Sequence, residues 1–467
     1  YVHVTRNEGQ DWEVISPDLT RWEEHKELHV DQPGGPLTYD QTGVEVYGTI
    51  FAFEESPHQA GLFWAGSDDG AIHISRDAGE SWQDITPPGL PLHSTVNEIV
   101  LSPHDAGRAF AVIQRYRLDD FHPYIYRTDD YGASWTLLTS GSNGIPADHP
   151  TRALQEDHVV EGLLYAGTEF GMFVSFDDGG HWQPFQQNLP ITPVMDLVIK
   201  DNDLVVATQG RALWILDDLT PLHQIEAASM AEVGAFLFAP RPAYRMRMQG
   251  GGRGGVWAEN PPDGAAIHYA FAGDVEGEVT LEIRDAAGDL VRAFTSTGPG
   301  TKAEVFQAMR EPTVTIVGTP RVQTTAGMHR LVWDLEHPPA YLAPGVNEGI
   351  RERIAVVTGD TDGPLALPGT YTVTLRTDDG WSQTQELEVV MDPRVTTPMA
   401  DLQAQFDLAL RVRDRITTIQ LGVAAGNERI RELDAVIARG GRDAQSAAAT
   451  KAELEEVLGQ LYKHNQR

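Results

Sequence analysis

The 467-residue sequence predicts a mainly β protein: β-propeller blades first, a β-sandwich second, and a C-terminal α-helical hairpin or bundle last. Three observations point there. A spaced pattern, S/T-x-D-x-G-x-x-W, recurs as "SRDAGESW" (75–82), "TDDYGASW" (128–135) and "SFDDGGHW" (175–182), with "TRNEGQDW" (5–12) carrying Asn7 in the Asp place. Short strand-like segments surround each copy in self-similar units of about forty residues, the mark of a propeller. From residue 395 onward the apolar period becomes helical.

The first unit reads "TIFAFEES", "LFWAGS", "AIHIS" and "WQDIT", with "HQAG" and "DDG" as turns. The second reads "VNEIVLSP", "AFAVIQR", "PYIYRT" and "WTLLT"; the third "TRALQEDH", "LLYAGTE", "GMFVSFD" and "WQPFQQ". A fourth has three strands only: "VMDLVIK", "DLVVATQ" and "ALWILDD". The recurring pattern falls between the third and fourth strands. Gly79, Gly132 and Gly179 supply the positive φ that a hairpin turn needs. Asp77, Asp130 and Asp177 accept turn N–H groups, and Ser75, Thr128 and Ser175 tie back locally. Trp82, Trp135 and Trp182 open the outer strand and bury a large ring. A catalytic residue is normally unique in its chain, so the repetition argues for a turn staple rather than for chemistry.

This pattern resembles the Asp-box, or bacterial neuraminidase repeat, of sialidases, xyloglucanases and sortilin-type propellers. "LFWAGSDDGAIHISRDAGESW" and its counterparts look like a bacterial group of large secreted proteins labelled glycosyl-hydrolase-like or sortilin-like. The resemblance implies a propeller, a following sandwich, a helical tail and an extracellular, periplasmic or cell-surface location; it implies architecture rather than activity. Sialidases also carry an Arg-Ile-Pro motif, which is missing from this sequence.

The sequence opens on a third-strand segment, "YVHVTRN", and about four blades can be built, near the lower limit for closure. Further blades are therefore expected on a longer precursor or on a second chain, since an open ring exposes β edges.

Residues 221–256, with "RPAYRMRMQGGGRGGVW", read as an Arg/Gly-rich linker whose Arg241, Arg245, Arg247 and Arg253 suit an acidic surface. Residues 257–394 read as a sandwich resembling the immunoglobulin-like domains of secreted bacterial proteins, with a hairpin across Ala287 and Gly288 and a long insertion at 337–368. In 395–467, Thr397 and Pro398 read as an N-cap and first-turn pair. Leu402, Phe406, Ala409, Ile416 and Ile419 form one apolar stripe; Ile430, Leu433 and Ile437, then Leu454, Val457 and Leu461, continue it.

Composition narrows the function. There are 68 acidic and 35 basic residues, a net charge of −33, which opposes nucleic-acid binding. No apolar run reaches the roughly 18 residues of a membrane span. There is no cysteine, so disulfides and thiolate metal sites are excluded. No cofactor is expected; "SDDG" (67–70) and "DNDL" (201–204) offer oxygen ligands for calcium, but turn chemistry alone explains both. His93, His104, His149 and His158 show no metal spacing.

The candidate ligand loop is "QRYRLDDFHPY" (114–124), which gathers Arg115, Tyr116, Arg117, Asp119, Asp120 and His122; Arg211 is a further candidate at the end of the blades. Adjacent Arg and Asp groups bind a sugar or peptide terminus, or act as acid and base. The plainer reading is that Arg–Asp pairs order a long loop. Trp64 and Trp214 are possible sugar platforms, although their strand positions favour core burial. The favoured function is a secreted, non-catalytic scaffold that binds a protein, peptide or glycan. The alternative is a glycoside hydrolase using a carboxylate pair on the propeller face.

Overall fold

A computed structural model describes residues 1–21, 34–38, 46–225, 234–246, 261, 263–297, 320–341 and 363–462. The chain forms two compact units, Tyr1–Leu219 and Thr220–Arg467.

In the first unit, β1 (His3–Val4) and β2 (Glu13–Val14) form a two-stranded sheet. Three four-stranded antiparallel sheets follow in sequential order. They are β3 (Ile50–Glu55) to β6 (Gln83–Asp84), β7 (Thr95–Leu101) to β10 (Thr136–Leu137), and β11 (Thr151–Glu156) to β14 (Gln183–Pro184). The last sheet has three strands, β15 (Val194–Lys200), β16 (Asp203–Thr208) and β17 (Leu213–Leu216). These are the meander blades of a β-propeller.

The core lies between the blades. Trp64, Ile72 and Ile74 of one blade pack against Val96, Ile99, Ala111 and Ile113 of the next. Phe110, Val112 and Ile125 then meet Leu154, Leu164 and Phe173 of the blade after it. Where a blade is covered on both faces its strands read as buried runs rather than as a clean alternation, as in "AFAVIQ" of β8 (Ala109–Gln114).

Polar ties cross the same boundaries. His58 Nε2 reaches the Ser102 carbonyl at 3.1 Å, and His104 Nε2 the Asp157 carbonyl at 2.7 Å. A carbonyl only accepts, so each ring nitrogen carries the proton. Both histidines sit in a second repeat, Ser-Pro-His-x-Ala-Gly, at 56–61 and 102–107.

The second unit holds two sheets around one core. The first has the order β18 (Ala235–Leu237), β20 (Ala265–Phe271), β23 (Gly327–Trp333). The second has the order β19 (Ala243–Arg245), β25 (Ser382–Met391), β24 (Gly369–Thr377), β21 (Val279–Arg284), β22 (Leu290–Thr295). Tyr269, Phe271 and Trp333 of one sheet share the core with Leu281, Ile283, Val373, Leu387 and Val389 of the other. β21 alternates inward Val279, Leu281 and Ile283 with outward neighbours, the period-two pattern of a half-buried strand. The hairpin across Ala287 and Gly288 turns on Gly288 at φ +86.

The linker expectation requires correction. Ala235–Leu237 and Ala243–Arg245 are strands of the two sheets, the latter parallel to Val389–Met391, and Arg245 Nε donates to the Ala366 carbonyl at 2.8 Å. An Arg-rich segment with alternating Ala and Tyr therefore supplies an edge strand. Arg247 and Arg253 lie outside the described residues, as does most of the 337–368 insertion.

Helix α1 (Met399–Arg439) is continuous across "GVAAG" and turns at Gly440 and Gly441, both with positive φ, into α2 (Ala444–Tyr462). The tail is thus a hairpin. Pro398, in extended conformation, is the N-cap residue, and no side chain caps the helix there; the Thr397 cap expectation is corrected by one residue. Gly426 lets α1 approach α2 closely, since a Cβ there would lie 3.0 Å from Leu458. Leu402, Val423 and Leu433 are buried, Phe406 meets His337 edge to face, and Ile419 and Val457 stay exposed.

Candidate functional site

The repeated turns are closed on themselves. Ser75 Oγ donates to Asp77 at 2.9 Å and accepts from Gly79 N–H at 2.9 Å, while Ser81 donates to Asp77 through both N–H (2.9 Å) and Oγ (2.5 Å). Thr128, Asp130, Gly132 and Ser134 repeat this at 2.7–2.8 Å. So do Ser175, Asp177 and Gly179, where His181 supplies the N–H and a ring contact of 2.6 Å. The donated bonds of Ser81 and Ser134 hold Asp77 and Asp130 below the usual carboxylate range. At the first copy the charge has moved: Asn7 takes the Asp place, and its Nδ2 donates to Asp11 at 3.0 Å.

The tryptophans reach further than their own turns. Trp82 Nε1 donates to the Ile15 carbonyl at 2.8 Å, Trp135 to Ile85 at 2.7 Å, and Trp182 to Leu138 at 3.3 Å. Each bond therefore ends on the preceding blade.

A second arrangement, unsignalled by the repeat, faces the inner strands. In all four, the ladder skips a residue: between Ile50 and Ala52, Val96 and Glu98, Thr151 and Ala153, and Val194 and Asp196. A β-bulge leaves the extra residue unpaired and re-aims its side chain. The extra residues are Phe51, Asn97, Arg152 and Met195, and all four line one cavity of about 580 Å³. Glu54, Glu98, Asp196, Tyr116 and Arg117 line it too.

Part of this lining is internally satisfied. Gln114 donates to Asn97 at 3.0 Å, Asn97 donates to the Arg152 carbonyl, and Arg152 donates to Gln114. The Arg152 guanidinium lies 4.7 Å from the centre of the Tyr116 ring, and its Nε is 2.7 Å from Glu169, an ion-pair contact without the directionality of a hydrogen bond.

The carboxylates are less committed. Glu98 accepts from Leu154 N–H at 2.9 Å. Burial pushes it up to about 8, against that hydrogen bond and with help from the negative charges of Asp196 and Glu54. Glu54 is raised by burial and by Asp196. Glu54 and Asp196 are exposed, and neither has an ion pair among the described residues.

The candidate loop divides. Arg115 pairs with Asp120 at 2.8 Å and reaches Ser94 at 3.0 Å, while Tyr124 Oη and His122 also bond Asp120. These contacts order the loop. Tyr116 and Arg117 lie on the short 3₁₀ turn Tyr116–Leu118 and face the cavity, and Asp119 closes that turn in the left-handed region. Arg211 is outside the cavity and donates to the neighbouring Gly210 carbonyl at 3.0 Å. Trp64 is fully buried, and Trp214 Nε1 donates to the Arg211 carbonyl at 2.9 Å; neither lines the cavity. In "SDDG", Ser67 donates to Asp69 within the turn, but Asp68 accepts from Gly48 and Thr49 N–H and Asp69 from Arg21 N–H, so these carboxylates tie distant segments together rather than only closing their own turn. No metal-binding group of three or more His, Asp or Glu occurs among the described residues.

No protein-family model and no curated protein matches the chain. Solved structures it is similar to include the GH74 xyloglucanase from Xanthomonas campestris (18% identity, 36% of this chain and 29% of that one, TM-score 0.29). YCF48 bound to D1 peptide is another (20%, 36% and 48%, 0.26). The extracellular domain of a hybrid two component system from B. thetaiotaomicron is a third (11%, 76% and 40%, 0.30). These are β-propeller structures, and the chain spans less than half the length of each. No described helix is long and apolar enough to cross a membrane.

Proposed function

We propose that this chain is part of a secreted Asp-box propeller that binds a protein, peptide or glycan in its inner-strand cavity without catalysis. The Ig-like sandwich and helical tail would serve attachment or assembly. One observation carries the reading. Four bulges direct Phe51, Asn97, Arg152 and Met195 into a single cavity, while the repeated carboxylates are spent on their own turns. Further blades would complete the ring, because Val198, Leu213 and Ile215 of the last sheet and Phe53 of β3, none of them lining the cavity, are exposed.

A hydrolase reading is favoured by Glu98, a carboxyl that keeps its proton near neutrality beside the carboxylates of Glu54 and Asp196. Such pairs serve as general acid and base in glycosidases. A glycan and peptide array followed by a reducing-sugar assay separates the two. Binding without sugar release is expected; release that disappears in Glu98→Gln would overturn the non-catalytic reading.

A further inference from the structure

The cavity contains two kinds of surface that no ion pair consumes, although Asp196 Oδ1 accepts the Leu197 N–H at 2.8 Å. Phe51 and Met195, exposed at 56% and 37%, give it an apolar wall. Glu54 and Asp196 add exposed carboxylates from the strands on either side, close enough for Asp196 to raise Glu54. The cationic groups are differently placed. Arg152 is held by Glu169 and Gln114 under the Tyr116 ring, and Arg117 sits exposed beyond that ring, 5.9 Å from its centre.

An apolar wall ending in two uncompensated carboxylates matches a group with the reverse order: a methylene stem carrying an ammonium or guanidinium head. Glycan hydroxyls can donate to carboxylates, but they carry no positive charge to offset two of them, which a cationic head does. The long-range field agrees, since a chain of net charge −33 attracts cations and repels anions.

We propose that the inner-strand cavity recognises a lysine or arginine side chain of a peptide, its stem against Phe51 and Met195 and its head between Glu54 and Asp196. This rests on the reading of the cavity as the ligand site and narrows it from protein, peptide or glycan to a basic peptide. Arg117 at the lip excludes a second basic residue directly beside the first and favours an acidic or neutral neighbour.

The test uses ligand-observed NMR titration of the whole chain with three probes: a glycine pentapeptide with one central lysine, its norleucine counterpart, and a neutral xylo-oligosaccharide. The lysine peptide should bind about tenfold or more tighter than the norleucine peptide. The combined variant Glu54→Gln and Asp196→Asn should erase that difference, and added salt should reduce it. Both side chains are exposed, so the variant keeps its fold; an unchanged unfolding midpoint checks this. Phe51→Ala should weaken both peptides alike. Equal binding of lysine and norleucine, or a ratio unmoved in the double variant, overturns the proposal. Oligosaccharide binding that Phe51→Ala weakens, without peptide binding, overturns the basic-peptide assignment and leaves the cavity as the ligand site. If Phe51→Ala changes binding of no probe, both readings fall.

Discussion

The indole Nε1 of Trp135 donates to the carbonyl of Ile85 at 2.7 Å, a bond that starts in one blade and ends in the previous one. The acceptor is the third residue after the preceding repeat's tryptophan: 12 to 15, 82 to 85 and 135 to 138. The motif is thus both a turn and a fastener. Its Asp holds the hairpin in shape, and the shaped hairpin delivers the indole to its neighbour. A repeat that only closed its own turn would have no need of a tryptophan at a fixed spacing.

Trp135→Phe keeps an aromatic ring and removes the donor. Loss of one such bond should cost about 1 kcal/mol, with the Ile85 carbonyl left to water. Urea unfolding followed by tryptophan fluorescence checks this. An unchanged midpoint would show that the bond contributes nothing net.

Gly132 has two reasons to be glycine. Its φ is +84, and a Cβ there would lie 2.5 Å from Ile85 Cδ1. Gly89, at φ +79, has open space around it. Gly89→Ala should therefore cost only the left-handed backbone penalty, about 1–2 kcal/mol. Gly132→Ala should cost that plus overpacking, a further 1–3 kcal/mol or so. Equal midpoints for the two variants would remove the inter-blade role assigned to Gly132.

The blades were legible because a spaced motif, turn residues and short apolar runs all repeat together. The three-stranded last sheet was legible for the same reason, since "LTPLH", which follows "ALWILDD", has neither the motif's glycine nor its tryptophan. The bulges were not, because a one-residue slip in pairing is a backbone event that no residue type in "TIFAFEE", "TVNEIVL", "TRALQE" or "VMDLVIK" announces. The His58 and His104 ties do have a sequence signal, the duplicated "SPH" at 56–58 and 102–104. The strands at 235–237 and 243–245 were hidden by arginines and prolines, which lower strand propensity but suit an edge. Splitting the 114–124 loop into a self-paired Arg115–Asp120 half and a cavity-facing Tyr116–Arg117 half required coordinates, since the residues alternate along the chain.

Asp130→Ala removes the acceptor for Ser134 N–H and both hydroxyls, while leaving the cavity untouched. Stability should fall, read as a lower urea midpoint than the parent's, because the turn loses the acceptor that closes it. Affinity for any cavity ligand should stay unchanged in the fraction that remains folded. A variant of normal stability with lost binding or activity would return Asp130 to the chemistry.

In the second unit, His337 packs against Phe406 with ring centres 4.9 Å apart, and burial together with Arg413 lowers its pKa from 6.5 to about 4. Between those values the unfolded chain takes up a proton that the folded unit refuses. Stability of this unit should therefore fall as pH drops from about 6.5 toward 4, and His337→Phe should remove that part of the decline. Thermal unfolding across this range, monitored by circular dichroism at helical wavelengths, is the measurement. An identical acid response in both proteins would contradict the prediction.

Glu98 produces the opposite slope in the first unit. Below its unfolded value of 4.5, both states hold the proton. From there to about 8, the unfolded chain releases it while the native carboxyl, buried and facing Asp196 and Glu54, keeps it. Unfolding then releases a proton, so raising the pH through that window favours the unfolded state; above it the effect is constant. Glu98→Gln retains an oxygen to accept the Leu154 N–H and carries no charge at any pH. Its stability relative to the parent should rise steadily from pH 4.5 to 8 and then level off. Denaturant midpoints at intervals across that range give the answer. A constant difference between the two proteins would mean that Glu98 ionises in the native state as freely as in the unfolded one, and the acid–base alternative would lose the protonated partner it rests on.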